Sequence, residues 1–282
     1  MTSSSSPGIS LKQEGISYLV GAQLPAVIVN VMRGGPGLGS IQPSQGDYYQ
    51  ATRGGGNGDY RTVTLAPATL QEAVDLMQDA FDIADAYRNP VMMLADGLIG
   101  QMMEPIVWQE RPGRTLPQKE WAADGRRGRA HNNFVTSLYI GAEECEEHNL
   151  ELNRKYAAME ANECRWEELM TEDAQLVLVA FGTPARVAET AMNHLRAQGQ
   201  KVGLLRPITL WPFPTARIRE LAGKPHVKAF LDVEMNLGQM LDDVNLAVNG
   251  QKPVTFYGRC GGAIPHVGEV EQAIQKALEE VE

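Results

Sequence analysis

The stretch AVIVNVMRGGPGLGS, residues 26–40, passes from an almost continuous apolar run into one arginine and four glycines. A short apolar run of this kind is typical of a strand that is buried on both faces of a parallel sheet. Ligands of such sheets bind beyond the carboxyl ends of the strands. Glycine lets a ligand approach the backbone, and the planar guanidinium of arginine matches a carboxylate or a phosphate. We therefore predict that Arg33 binds the carboxylate of a small acid.

Strand-like and helix-like patterns alternate along the rest of the chain. Strands are expected at 61–66 and 91–95 with a helix over 70–87 between them, and four strand–helix units follow from residue 175. A polar segment rich in Pro, Gly and Arg and a charged helical pattern separate the two series. This alternation predicts an α/β protein with two parallel-sheet domains. The expected divisions are a first domain at 1–105, a linker with a surface helix at 106–172, and a second domain at 173–282.

The first residues read as the start of a helix. Ser6 is a suitable N-cap, Pro7 suits the first helical position, and apolar residues recur at helical spacing up to Gln23. A right-handed crossover in a parallel sheet needs a strand before its helix. We therefore expect that a preceding segment of the first domain is absent from this sequence.

Composition narrows the class of protein. The net charge is −10 without a basic stripe, which disfavours nucleic-acid binding. The cysteines 145, 164 and 260 lie far apart, so this chain alone is not expected to hold a zinc ion or an iron–sulfur cluster, and a reducing cytoplasm is expected. The sequence contains no apolar run long enough to cross a membrane and no export signal at its start.

Other motifs have a structural and a functional interpretation. A second glycine-rich loop, RGGGNGDY at 53–60, and the first loop both lack the spacing of the common nucleotide-binding fingerprints. The hydroxyls of TSSSSPG can bind a polar ligand at a helix N-terminus, although an ordinary N-cap is the more common role for a residue such as Ser6. We expect RPITLWPFP at 206–214 to pack at a domain or subunit interface. Glu234 and Asn236 are expected at a sheet edge, in capping or interface contacts. Surface positions are expected for His131, His148 and His194.

Six blocks in order resemble one family along nearly the whole chain. They include TSSSSPGISLKQEGI, VIVNVMRGGPGLGSIQPSQGDYYQA, GGGNGDYRTVTLAP and GLLRPITLWPFP. These blocks resemble the alpha subunit of thiamine-diphosphate-dependent 2-oxoacid:ferredoxin oxidoreductases, especially the 2-oxoisovalerate and 2-oxoglutarate types. The resemblance implies a domain that binds the pyrimidine of thiamine diphosphate, followed by a domain like the C-terminal domain of transketolase.

The resemblance also implies a reaction and a set of partners. The reaction is the coenzyme-A-dependent oxidative decarboxylation of a 2-oxoacid to acyl-CoA, CO2 and reduced ferredoxin, as used in anaerobic metabolism. Arg33 matches the arginine that holds the oxoacid carboxylate, and Ser5, Ser6, Gly34 and Gly35 are expected near the thiamine ring. Thiamine diphosphate is expected to be shared with a pyrophosphate-binding beta subunit. Magnesium and iron–sulfur clusters are expected on partners, which include gamma and ferredoxin-like delta subunits in a two-fold assembly.

The sequence departs from the family pattern before Thr2. The family's YPITP-like motif and the glutamate that activates the aminopyrimidine do not occur there. Two alternatives therefore stay open beside the catalytic subunit. One is a truncated, non-catalytic assembly subunit of such a complex. The other is the beta subunit of the decarboxylase of an NAD-linked 2-oxoacid dehydrogenase.

Overall fold

A computed structural model describes residues 1–109 and 113–281, and it contains two mostly parallel sheets. The first sheet has the strand order β1-β2-β4-β3-β8 and the second has the order β10-β9-β6-β7-β5. The strands are β1 Thr2–Ser4, β2 Ala26–Met32, β3 Val63–Leu65, β4 Pro90–Asp96, β5 Trp166–Leu169, β6 Leu176–Ala180, β7 Val202–Pro207, β8 Thr209–Trp211, β9 Ala229–Glu234 and β10 Val254–Gly258. The predicted α/β class with two parallel sheets is confirmed.

Helices cover the faces of both sheets. Their bounds are α1 Pro7–Ser10, α2 Gln13–Gly21, α3 Tyr48–Arg53, α4 Leu70–Tyr87, α5 Ala142–Glu163, α6 Gly182–Ala197, α7 Thr215–Ala222, α8 Met240–Val248 and α9 Val267–Glu279. The helix predicted over 70–87 has the predicted bounds, because Thr69 accepts a hydrogen bond from the Glu72 backbone at its start and the left-handed Arg88 ends it. In the described ranges no helix is long and apolar enough to span a bilayer.

The prediction that a helix opens the chain is wrong. Residues 2–4 form β1, which pairs in parallel with β2 from Ile28 to Asn30. The expected helix is also divided into α1 and α2. Serine has no strong preference for a strand, so only the backbone bonds to β2 reveal this element. The structural reason for expecting a missing strand therefore does not hold.

Two strands come from segments that the sequence pattern did not assign as strands. β5 lies within the range predicted as a linker and pairs antiparallel with β7. β8 lies within RPITLWPFP and pairs antiparallel with β3 of the first sheet. The second half of the chain thus completes the first sheet, which agrees with the interface role expected for this proline-rich segment.

Helix α5 is charged along its outer face but buries an inner face. Leu152, Tyr156 and Met159 belong to the core beneath the first sheet. The surface position predicted for His148 is wrong, because its ring is buried, stacks on Tyr139 and lies with Nε2 2.8 Å from the Gly21 carbonyl. The polar neighbours of His148 in the sequence lie on the outer face of the same helix, which hides this contact from a local pattern.

Candidate functional site

A crevice of about 620 Å³ opens where the carboxyl ends of the two sheets meet. The first half of the chain lines it with segments that follow β1 and β2, and the second half does so with segments that follow β9 and β10. Parallel strands end at one edge of a sheet, which is where α/β proteins bind ligands. We call the space that these segments enclose the crevice. Its lining residues are Ser6, Pro7, Ser10, Gly34, Gly35, Pro36, Gly37, Ser44, Gly46, Asp47, Asn236, Leu237, Gln239, Cys260 and Gly261.

Ser6, which the sequence predicts as a site residue, lies in the wall of the crevice. Its hydroxyl donates to Asp47 Oδ2 at 2.6 Å, and the Arg33 backbone N–H donates to the same hydroxyl at 3.1 Å. The hydroxyl therefore does not cap α1, contrary to the simpler interpretation of the Ser-Pro pair. Ser5 is half-buried and is not among the lining residues of the described chain.

Arg33 lies directly behind this wall. Its backbone N–H contacts Ser6, and its Nη1 donates to the carbonyl of Ser40 at 3.3 Å. The guanidinium therefore lies against the glycine-rich loop that follows β2. The structure brings Arg33 and Ser6 together as the sequence predicts, and the role of Arg33 stays a prediction.

Gly34 and Gly35 line the crevice where the two halves of the chain approach most closely. A side chain at Gly34 would lie 3.0 Å from the carbonyl carbon and oxygen of Gly261. Such a distance is closer than most side-chain carbons approach a backbone, so a side chain at this position would have to displace the Gly261 backbone by a few tenths of an ångström. The glycines after Arg33 thus let the CGG loop at 260–262 of the second half pack on the loop after β2.

The segment after β9 binds the loop that precedes α3. Gln45 and Met235 exchange hydrogen bonds, since the Gln45 N–H donates to the Met235 carbonyl at 2.9 Å and the Met235 N–H donates to Gln45 Oε1 at 3.0 Å. Asn236 Nδ2 donates to the Gln45 carbonyl, and Gln239 Nε2 donates to that of Gly46. These contacts hold both walls of the crevice at a fixed distance. The interface role expected for Asn236 is found here.

Two buried carboxyl groups lie at the end of β9. Glu234 accepts hydrogen bonds from the backbone of Met240 and Leu241 at the start of α8 and from Asn236 Nδ2 at 2.6 Å. Burial raises the pKa of Glu234, and these donors oppose the rise. Burial, and then the charge of Glu234, raise the pKa of Asp232 well above its ordinary value. The proton that the pair shares therefore resides on Asp232, and Glu234 holds the charge that caps α8.

Sequence reasoning missed Asn30, Gln45, Asp47 and Cys260. Asn30 lies in the predicted strand before Arg33, and Gln45 and Asp47 lie in the loop that follows the glycines. The polar run SQGD at 44–47 in this loop is a signal that could have identified Gln45 and Asp47 as candidate site residues. Cys260 follows a strand of the other sheet. Only the tertiary structure brings it to the crevice.

The donor groups of the crevice fit one part of thiamine diphosphate better than the other. Hydroxyls, amides and one carboxylate suit a neutral ring that carries an amino group, whereas the lining side chains include no lysine, arginine or histidine to hold a diphosphate. Within the described residues no cluster of His, Cys, Asp and Glu could hold a metal ion. The residues present therefore fit the aminopyrimidine and not the magnesium-bound diphosphate.

Comparisons with known proteins identify the family of the chain. Residues 1–171 match the thiamine diphosphate-binding domain of pyruvate flavodoxin/ferredoxin oxidoreductase, and residues 174–270 match core domain II of pyruvate:ferredoxin oxidoreductase. The chain is 52% identical to the ketoisovalerate oxidoreductase subunit VorB of Methanothermobacter marburgensis, over 98% of this chain and 77% of that protein. It is 34% identical to the 2-oxoglutarate synthase subunit KorA of Methanothermobacter thermautotrophicus, over 98% of this chain and 80% of that one.

Solved structures share the fold. The 2-oxoglutarate:ferredoxin oxidoreductase of Magnetococcus marinus superposes with a TM-score of 0.79 at 21% identity, covering 100% of this chain and 53% of that one. A split-gene transketolase superposes with a TM-score of 0.54 at 16% identity, covering 91% of this chain and 67% of that one. The chain therefore belongs to the family of 2-oxoacid:ferredoxin oxidoreductase subunits whose first domain binds thiamine diphosphate.

Proposed function

We propose that this chain is the alpha-type subunit of a coenzyme-A-dependent oxidoreductase that converts an aliphatic 2-oxoacid to acyl-CoA, CO2 and reduced ferredoxin. One observation carries the proposal: Arg33, Ser6 and the glycine-rich loop converge beside a crevice between the carboxyl ends of two parallel sheets. Bound thiamine diphosphate would supply the electron sink for decarboxylation.

The residues of this chain have separate tasks in the proposed site. Arg33 binds the oxoacid carboxylate through its planar guanidinium, which requires it to exchange its contact with the Ser40 carbonyl for the substrate. Ser6 holds the backbone of Arg33, and Gly34 and Gly35 leave room for the substrate and the thiamine ring. Ser5 is expected close to the same ring, behind the residues that line the crevice.

The lining side chains favour a substrate with one carboxylate. No cationic side chain lines the crevice in the described chain, and Asp47 adds a negative charge, so the second carboxylate of 2-oxoglutarate would lack a partner. Leu237 lies on the rim with 80% of its surface exposed and offers an apolar contact. The greater identity to the ketoisovalerate subunit than to the 2-oxoglutarate subunit supports the same choice.

The proposal includes partners. Because the described residues that line the crevice include no groups for the diphosphate and its magnesium, a pyrophosphate-binding beta subunit completes the cofactor site. Gamma and ferredoxin-like delta subunits carry the coenzyme A reaction and the electrons to ferredoxin, in an assembly with a two-fold axis. The free thiols of Cys145, Cys164 and Cys260 suit a reducing cytoplasm. The two family matches meet between residues 171 and 174, which supports a boundary near residue 172 in the proposed division into 1–105, 106–172 and 173–282, and the division at residue 105 stays a prediction.

Reconstitution tests the proposal. The chain is co-expressed with its partner subunits, and reduction of a viologen dye is measured with coenzyme A and either 2-oxoisovalerate or 2-oxoglutarate. We expect kcat/KM to favour 2-oxoisovalerate by about tenfold or more, since an unpaired carboxylate costs over ~1 kcal/mol. In the same assay Arg33→Ala should raise the KM for the oxoacid by about 30-fold, the loss expected for one partner of a charged pair.

Arg61→Ala is the matched control, because Arg61 is exposed and lies outside the crevice. An unchanged KM in Arg33→Ala contradicts the assignment of Arg33. A preference for 2-oxoglutarate contradicts the choice of substrate. A folded complex that reduces no dye with any oxoacid supports the non-catalytic assembly subunit instead.

A further inference from the structure

Asp47 lies at the start of α3 and in the wall of the crevice, and its side chain joins two strand ends. Its Oδ2 atom accepts a hydrogen bond from the Ser6 hydroxyl at 2.6 Å and another from Asn30 Nδ2 at 2.9 Å. Ser6 follows β1, and the fully buried Asn30 lies within β2. Charge strengthens both bonds, because the acceptor is a carboxylate.

These bonds hold Ser6 in a conformation that its backbone does not favour. Ser6 has φ 26° and ψ −80°, which is an unusual backbone conformation for a residue other than glycine. Its N–H donates to Asn30 Oδ1 at 3.0 Å, so Asn30 holds the backbone of Ser6 while Asp47 holds its hydroxyl. Backbone strain of this kind persists only where surrounding groups determine it, and it is common at functional sites.

The orientation of the Ser6 hydroxyl determines what it offers to Arg33. A hydroxyl has one hydrogen, and the 2.6 Å bond to Asp47 uses it. The lone pairs of Ser6 Oγ therefore face the Arg33 backbone N–H, which donates to them at 3.1 Å. In this way a continuous path of hydrogen bonds runs from Asp47 to the residue that the proposed function assigns to the oxoacid carboxylate.

The second half of the chain fixes the other end of this path. The residues directly before Asp47, Gln45 and Gly46, bind Met235, Asn236 and Gln239. The position of Asp47 therefore depends on the fit between the two halves of the chain. Because the bonds of Asp47 to Ser6 and Asn30 are short and partly buried, and Gln45 makes buried bonds to Met235 and Asn236, the carboxylate has little freedom to move.

We propose that Asp47 is a positioning residue for oxoacid binding: it orients Ser6, and Ser6 fixes the backbone from which the Arg33 guanidinium extends. This inference rests on the proposed function of Arg33. It predicts that most of the contribution of Asp47 to the KM for the oxoacid acts through Arg33. A merely structural aspartate would lower stability and leave this KM unchanged.

A double-mutant cycle in the reconstituted complex tests the inference. We expect Asp47→Ala to raise the KM for the oxoacid by about tenfold, because two donors lose their acceptor and Arg33 loses its fixed backbone. In an Arg33→Ala background the same change should alter KM by less than about twofold, since the residue it acts through is absent. Asp47→Asn keeps one acceptor oxygen, so its rise in KM should be smaller than that of Asp47→Ala. This variant provides the test if Asp47→Ala does not fold.

Asp243→Asn is the control for stability. Like Asp47, Asp243 accepts a hydrogen bond from a side-chain hydroxyl, here that of Tyr48 at 2.6 Å. Unlike Asp47, it does not line the crevice. The thermal stability of the Asp243→Asn variant should fall, while its KM for the oxoacid stays at the wild-type value. Equal rises of KM for Asp47→Ala with and without Arg33 would overturn the inference, as would an unchanged KM in a folded Asp47→Asn. If Arg33→Ala itself leaves KM unchanged in an active wild-type complex, the proposed role of Arg33 fails first.

Discussion

Asp232 shows how a single buried side chain can oppose stability. It is fully buried on β9, and neither of its oxygens has a hydrogen-bond donor within the described chain, so in its protonated form it is the donor to the adjoining carboxylate of Glu234. Burial raises the pKa of Asp232 well above its ordinary value, so the folded protein holds the proton more tightly than the unfolded chain does. The free energy of unfolding therefore falls as the pH rises above about 4 and through the raised pKa.

Asp232→Asn should remove this dependence. The amide is neutral at every pH and can donate to Glu234, so we expect the variant to exceed the wild type by at least ~1 kcal/mol near neutral pH. The difference should shrink as the pH falls below about 4, because Asp232 is then protonated in both states. Urea unfolding across this pH range measures it, and the exposed Asp59→Asn serves as a control whose pH dependence should match the wild type. A variant that is less stable than the wild type near neutral pH would contradict the assignment of the proton.

At the scale of elements, the crevice depends on two loops that approach each other closely at their glycines. Gly262 has φ +106°, and a Cβ there would overlap the side chain of Gln42. Gly34 makes the corresponding close approach from the first half of the chain, against Gly261. The loop at 260–262 therefore packs through its backbone against Gly34 and the Gln42 side chain, and this contact brings the carboxyl ends of β2 and β10 together.

Gly262→Ala should separate the two loops. We expect the free energy of unfolding to fall by roughly 1–3 kcal/mol, since the new methyl overlaps Gln42 and the left-handed backbone is strained as well. Gly250→Ala is the matched control, because Gly250 has φ +71° but open space around its Cβ position. Urea unfolding of both variants isolates the overlap. Equal losses in the two variants would mean that strain alone accounts for the effect and that the loops do not pack closely.

Across the whole molecule, a buried ion pair joins the two halves of the chain. Arg206 of β7 has a side chain that is 10% exposed, and it donates two bonds of 2.9 Å to Glu72 of α4 and one to Glu167 of β5. Glu72 is also partly buried, with 18% of its side chain exposed. Each charge needs the other, because a buried charge without a partner costs several kcal/mol.

Arg206→Ala should therefore destabilise the whole chain. We expect a loss of ~3 kcal/mol in the free energy of unfolding, because Glu72 keeps its charge and loses its partner. Arg217→Ala breaks a pair with Glu168 that lies within the second half and should cost less, about 1 kcal/mol. Calorimetry should show one cooperative transition in the wild type. A loss no greater than that of the control would contradict a strong link between the halves.

The local pattern of the sequence determined the class of fold and one part of the site. Apolar strands that alternate with amphipathic helices require a sheet with both faces covered, which predicts the α/β class and most element bounds. An arginine followed by glycines at a strand end predicts a ligand site there, and the structure places Arg33 beside Ser6 at such a crevice. The fold class could be predicted because it depends on residues that are close together in the sequence, and the ligand role of Arg33 stays a prediction.

Only the tertiary structure decided which segments complete the sheets and the crevice. β1 and β8 exist because a distant strand offers them backbone partners, and the bond between Asn236 and Gln45 spans 191 residues. The burial of His148, the strain of Ser6 and the shared proton of Asp232 depend in the same way on groups from other elements. Hydrogen bonding and desolvation act through space, so a periodic pattern along the chain does not contain them.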